Sequence, residues 1–364
     1  MAGVSSAGAL AGVRVVEFGA IGPVPFCAML LADMGAEVVH IARPGAPRDL
    51  TRDITLRGRR VVTLDLKHEA DRASALALVS GAQILLEGNR PGVMERLGLG
   101  PGPCQAANPA LVYGRMTGWG QDGPLAPTAG HDINYIALTG ALHAIGPADG
   151  APVPPLNLLG DYGGGALFLA FGVLCALIEA RGSGKGQVVD AAMIDGASTL
   201  MSVVWGLRAR GGWNERRGDN LLDGGAPWYT TYATADGRHM AVGALEEPFW
   251  QALLAGLGLK AEALPPRQDR AGWPAIRAAL AAVFGQRTQA EWTAVFAQTD
   301  ACVTPVVALS EAPAQPQMAA RGNFLERDGV MQPAPAPRFS RTPGQARIAE
   351  IDDVARILAD WGVP

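Results

Sequence analysis

Two short segments hold the side chains best suited to moving protons. One is Gly130-His131-Asp132-Ile133-Asn134-Tyr135, and the other is Gly160-Asp161-Tyr162-Gly163-Gly164-Gly165. Ile136 to Ile145 has helical spacing, which puts His131 at or near a helix N-terminus. The positive end of a helix dipole disfavours an imidazolium. A neutral imidazole at pH 7 is the form a general base requires. A structural histidine beside a cap has the same signature, so the residues alone leave both roles open. His143, on the apolar part of the same stretch, reads as structural. Asp161 stands in an N-cap-like place before the apolar helix expected over Ala166–Ala180. The three glycines after it permit close backbone approach, and free amides at that helix start could hold an oxyanion. A plain cap before a buried helix is the other reading.

The elements that must position these groups alternate. Arg14 to Gly19, Glu37 to Ile41, Val61 to Leu66, Ile84 to Glu87 and Leu111 to Met116 read as buried strands. Helical spacing from Pro23 to Met34 and from Asp71 to Ser80 separates them. Repeated strand–helix–strand units imply a parallel α/β sheet. The first turn, Gly19-Ala20-Ile21-Gly22, does not complete a dinucleotide fingerprint. The second strand ends at Arg43, where a ribose-binding carboxylate would be needed. Cations follow successive strands instead, at Arg43, Lys67, Arg90 and Arg96. Singly each reads as a surface charge; together they suit a ligand with several phosphates.

Length and composition set the outer limits. A chain of 364 residues, 49% hydrophobic and 18% charged, has the material for about two domains. A net charge of −4 without a basic run argues against a nucleic-acid partner. Cys27, Cys104, Cys175 and Cys302 are far apart and read as reduced, buried thiols. The scattered cysteines and histidines suggest no metal site. No basic leader opens the chain, and the longest apolar run, Ala166 to Ile178, is short for a membrane span, so a cytoplasmic protein is expected. Beyond a glycine-rich connection near 211–226, Tyr229–Ala235 and Arg238–Gly243 flank Asp236-Gly237 as a hairpin. Helical patterns follow at Phe249–Leu257 and Pro274–Phe284, which suggests a smaller α+β domain. The expected organisation is a large α/β domain over 1–195, a linker over 196–229, and the small domain over 230–315. A second linker over 316–331 and a return to the large domain over 332–364 complete it.

Residues 10–350 resemble the family III CoA-transferase superfamily, and within it the α-methylacyl-CoA racemases. The matching segments are Val15-Val-Glu-Phe18, Pro23 to Ala36, Arg43-Pro-Gly45, Leu64-Asp-Leu-Lys67, Arg90 to Leu99, Gly130 to Tyr135, Gly160 to Gly165 and Gly184 to Met193. The histidine segment is the specific part. The resemblance implies a Rossmann-like large domain, a smaller α+β domain and an interlocked homodimer. It implies His131 and Asp161 as the two bases, with Glu246, after the Val242-Gly-Ala-Leu245 strand, supporting the aspartate; Glu247 is adjacent. It also implies a CoA site formed by Arg43, Leu64, Asp65, Leu66, Lys67, Gly88, Asn89, Arg90, Arg96, Gly130, Asp132, Ile133, Asn134 and Tyr135.

A thioester α-hydrogen is a weak carbon acid. Its removal gives a planar enolate, and a proton returned to the opposite face inverts the centre. That chemistry needs two proton carriers and an oxyanion site, but no cofactor beyond the CoA of the substrate. An aspartate holds a proton at pH 7 only if its neighbourhood raises its pKa, and Glu246 is the expected partner in such a dyad. Ile21, Met193 and Met201 are candidates for acyl-chain room. The expected activity is racemisation of 2-methylacyl-CoA thioesters, within fatty acid and lipid metabolism. The alternatives are a CoA-transferase with Asp161 as nucleophile and a non-catalytic acyl-CoA binder.

Overall fold

The computed structural model describes residues 8–46 and 49–363, and these residues form two compact units. Among the described residues, the first unit comprises 8–46, 49–139, 155–201 and 316–363; the second comprises 140–154 and 202–315. The segment 140–154, expected with the large domain, thus groups with the second unit. Most of 316–331, expected as a linker, carries regular structure in the first unit: the helix Pro316–Arg321 and the strand Phe324–Arg327.

The first unit is built on a seven-stranded parallel sheet. Its strands are β1 (Arg14–Phe18), β2 (Glu37–Ala42), β3 (Arg59–Thr63), β4 (Ile84–Glu87), β5 (Val112–Thr117) and β6 (Val188–Ala192). The order is β3-β2-β1-β4-β5-β6, and Glu350–Ile351 pairs with the outer edge of β3. Strands covered on both faces must be apolar at every position, because successive side chains point to opposite sides. Val15 and Val16 show this. Val15 packs in one core with Val38, Leu86 and Val112; Val16 packs in the other with Val39, Leu85 and Tyr113. The helix α1 (Pro23–Asp33) covers the first face and α2 (Glu69–Ser80) the second. Burying each such aliphatic side chain contributes about 1.5–3 kcal/mol. Charged groups also lie among them: Glu17 Oε2 accepts from Arg59 Nε at 3.1 Å and meets His40 Nδ1 at 3.0 Å, and Glu87 accepts from Arg115 Nε at 3.0 Å. Burial opposes the Glu17 charge, but Arg59 and His40 outweigh it and hold the carboxyl below its ordinary range.

Three local expectations are corrected. The helix expected over Ile136 to Ile145 is two pieces, Asp132–Leu138 and Ala141–Ala144, interrupted by Gly140 in the left-handed conformation. His143 is therefore not on the helix that His131 begins. It is exposed, with its Nε2 3.1 Å from the Glu215 carbonyl oxygen. Asp161 is not an N-cap. It lies inside a π-helical stretch, Leu158–Ala166, that runs directly into the helix Leu167–Ser183. Joined, these make 26 residues, long and apolar enough by length and composition to cross a membrane. Here the helix serves the core instead: Leu169, Val173, Ala176 and Leu177 are buried against the sheet. Lastly, only Cys27 and Cys104 are buried. Cys175 lies on the outward face of the Leu167–Ser183 helix and Cys302 in an exposed turn; all four are free thiols.

The second unit has a three-stranded antiparallel sheet in which Tyr229–Ala233 and His239–Gly243 form the hairpin and Val303–Pro305 pairs with the latter. Helices Glu247–Leu257, Trp273–Phe284 and Gln289–Phe296 close over a core rich in aromatics, including Trp228, Trp250, Trp292 and Phe284.

Candidate active site

In a parallel sheet every strand delivers its following loop to the same edge, where ligands of α/β folds bind. Here that edge receives Ile21 and Gly22 after β1, Gly88 to Pro91 after β4, and Gly118 and Trp119 after β5. With Gly130, His131, Tyr135, Asp161 and Met193 these residues line a cavity of about 360 Å³. The structure thus brings the two expected proton carriers to one cavity. Ile21 and Met193 line it as well; Met201 does not.

His131 is the exposed residue that precedes the helix Asp132–Leu138, and its backbone N–H donates to Asn134 Oδ1 at 3.0 Å. Asp161 is half-buried. Its Oδ2 accepts from Asn157 Nδ2 at 3.1 Å, and its backbone N–H donates to Asp132 Oδ1 at 2.6 Å. Its carboxyl is raised above the ordinary aspartate range. Burial is the main cause and Asp132 adds to it, against the Asn157 hydrogen bond and the charge of His131. Gly22 permits this packing: with φ 72° and ψ −116° it adopts a glycine conformation, and a Cβ there would lie 3.1 Å from Asp161 Oδ2.

The π-helical stretch changes the expected oxyanion site. Its i→i+5 bonds engage the amides of Gly163, Gly164 and Gly165 within the helix. They are not the free donors of a helix start. At the start of the helix Asp132–Leu138, the amides of Asn134 and Tyr135 donate to the His131 carbonyl oxygen at 2.8 and 3.2 Å.

The expected CoA residues fall into three groups. Gly88, Asn89, Arg90, Gly130 and Tyr135 line the cavity. Arg43, Lys67 and Arg96 are exposed just after β2, after β3 and on the helix Val93–Arg96. The remainder do not offer side chains to that cavity. Leu64 is in the core. Asp65 Oδ1 accepts the Lys67 amide at 3.1 Å and its own amide donates to Asp71, which shapes the loop. Leu66 is partly buried against the same core as Leu64, Asp132 is buried, and Ile133 and Asn134 are exposed. Tyr135 donates its hydroxyl to the Gly130 carbonyl and packs edge-on against Trp119, 4.7 Å between ring centres, which fixes the loop before His131.

Glu246 lies in the second unit, at the N-cap of the helix Glu247–Leu257, and is exposed. The neighbouring Glu247 is engaged: it accepts from Arg267 at 2.7 Å and from Gln251 at 2.6 Å. Arg267 also donates to the carbonyls of Ala244 and Leu245 and lies over the rings of Trp228 and Trp250. Within this unit, Glu246 is the freer of the two carboxylates.

Sequence reading missed Asn157, Trp119 and Gly22. Asn157 had a signal, since it stands four residues before Asp161 on one helical strip. Gly22 had none, because its partner is 139 residues away.

The chain matches the model for CoA-transferase family III over residues 10–350 and belongs to that family. The fold agrees: a CAIB/BAIF family protein from Brucella suis superposes with a TM-score of 0.83 at 25% identity, covering 98% of this chain and all of that one. Within the family, the chain is 47% identical over 335 residues to the alpha-methylacyl-CoA racemase of Mus musculus, spanning 92% of this chain and 87% of that protein. It is 46% identical over 336 residues, with the same coverage, to the alpha-methylacyl-CoA racemase of Homo sapiens.

Proposed function

We propose that this protein interconverts the 2R and 2S forms of 2-methylacyl-CoA thioesters by proton transfer through an enolate. One observation carries the reading: an imidazole and a carboxyl with a raised proton affinity line the same cavity in a family III chain. His131 takes the α-proton from one enantiomer while Asp161, protonated, returns one to the other face; the roles reverse for the mirror substrate. The developing enolate oxygen requires a hydrogen-bond donor in the same cavity. Arg43, Lys67, Arg90 and Arg96 hold the CoA phosphates, supported by their common placement beyond the strand ends. The working form is a homodimer. Its support is the apolar stripe Leu167, Phe171 and Ile178, each at least half exposed on one face of the Leu167–Ser183 helix. The setting is cytoplasmic fatty acid metabolism.

The test is incubation of one enantiomer of a 2-methylacyl-CoA with the enzyme in D₂O. The expected result is racemisation with deuterium entering at Cα. Absence of exchange, with CoA passing to an added free acid, would replace the racemase by a transferase that uses Asp161 as nucleophile.

A further inference from the structure

Asp132 adjoins His131 in sequence, yet its side chain does not line the cavity. It is 7% exposed, and it turns toward the π-helical stretch. Oδ1 accepts the backbone N–H of Asp161 at 2.6 Å, whereas Oδ2 is buried without a hydrogen-bond partner. The backbone is shaped to admit this carboxyl: a Cβ at Gly160 would lie 2.5 Å from Oδ1. An asparagine could accept the same N–H bond. A buried carboxylate with one oxygen unsatisfied is the costlier choice. What the carboxyl adds over the amide is its charge, next to the residue that must keep a proton.

We propose that Asp132 is a positioning residue for Asp161: its carboxylate anchors the Asp161 backbone and places beside the reacting carboxyl the like charge that keeps it protonated. This deepens, and rests on, the racemase reading. It also locates a dyad partner for Asp161 within the first unit, on the helix that His131 begins. The charged groups acting on Asp161 are Asp132 and His131, both from that one turn. Asn157, on its own element, donates a hydrogen bond, and Gly22 at the start of α1 lies beside the carboxyl without a charge. The helices Leu167–Ser183 and Met193–Leu200 add no charge to this set. Tyr135 senses the Asp161 charge from the other side of the cavity loop.

The experiment is a pH titration of the full-length protein carrying ¹³C-carboxyl aspartate, read by NMR without substrate, with the Asp161 signal assigned by its loss in Asp161→Asn. In Asp132→Asn the backbone bond survives and the charge does not. The Asp161 titration is then expected to move down toward the ordinary carboxylate range while the melting temperature is held or rises. With 2-methylacyl-CoA, kcat at pH 8 falls by at least roughly tenfold and KM changes little. An Asp161 titration unchanged in Asp132→Asn overturns the proposal. A second reading does not depend on that variant folding. The wild-type Asp132 signal should inflect where Asp161 titrates and lose that inflection in Asp161→Asn; an Asp132 signal blind to Asp161 also overturns it. Because these titrations use no substrate, their failure is distinguishable from failure of the racemase reading, which would show as an absence of α-exchange.

Discussion

The two proton carriers are built in opposite ways. His131 is exposed, held at the start of a seven-residue helix by a hydrogen bond of its own backbone. Asp161 is half-buried in a π-helical stretch, with Asn157, Asp132 and the Gly22 backbone against it. An imidazole's ordinary pKa already lies near neutrality and a carboxyl's lies far below it. Only the carboxyl needs an environment that raises it, and burial beside Asp132 supplies one. The contrast shows where the fold has invested in pre-organisation, at the weaker partner of the pair.

Breaking either side should produce the largest effects. His131→Gln or Asp161→Asn each lowers kcat for racemisation by about 10²–10⁴-fold, measured by loss of optical rotation or by deuterium exchange. A smaller loss in either variant would mean that a single base serves both faces. Next is Gly22→Ala. Its backbone conformation costs about 1–3 kcal/mol for an alanine, and the new Cβ pushes on the Asp161 carboxyl. Turnover should fall roughly 10–100-fold, and a variant with the wild-type rate would show that Asp161 tolerates displacement.

The second unit sharpens the comparison, since its carboxylate is presented by a rigid support instead of a desolvated pocket. Arg267→Ala removes two aromatic contacts and the bonds to residues 244–247. It should destabilise the protein by about 2 kcal/mol in denaturant unfolding. An unchanged midpoint would show that the Trp228 and Trp250 core holds that segment alone.

Asp161 also makes a pH-dependent prediction for stability. Its folded-state pKa is raised, so the folded protein binds that proton more tightly than the unfolded chain does. The resulting stabilisation is complete below the ordinary carboxylate range and is lost as pH rises through the elevated folded value. Asp161→Asn should therefore gain on wild type in thermal melts between pH 4 and pH 8; a pH-independent difference would mean no linkage at this group. The smallest effect belongs to Glu247→Gln. That side chain is 59% exposed, its ion pair contributes under about 1 kcal/mol, and racemisation should be unaffected.

Much of this was legible from residues 14–117. Strands buried on both faces leave continuous apolar runs, and each helix between them carries its own period, so the parallel sheet and its cation-bearing edge could be read locally. Chemical identity was partly local: a histidine at a helix start marked a possible base, while Asp161 read as a cap and gained its proton-carrying role only from the family resemblance. What the residues could not express were relations at long range. No propensity marks a π-helical turn, so Asp161 reads as a cap and its glycines as free donors. The Gly140 break had a local signal, a glycine free to take the left-handed conformation, which the apolar spacing around it masked. Asp132 reads as a ligand contact and becomes an anchor only because folding lays residue 161 beside residue 132. Sequence determined which groups can carry protons; tertiary structure decided how acidic they are, because acidity depends on burial and on which charges folding makes neighbours.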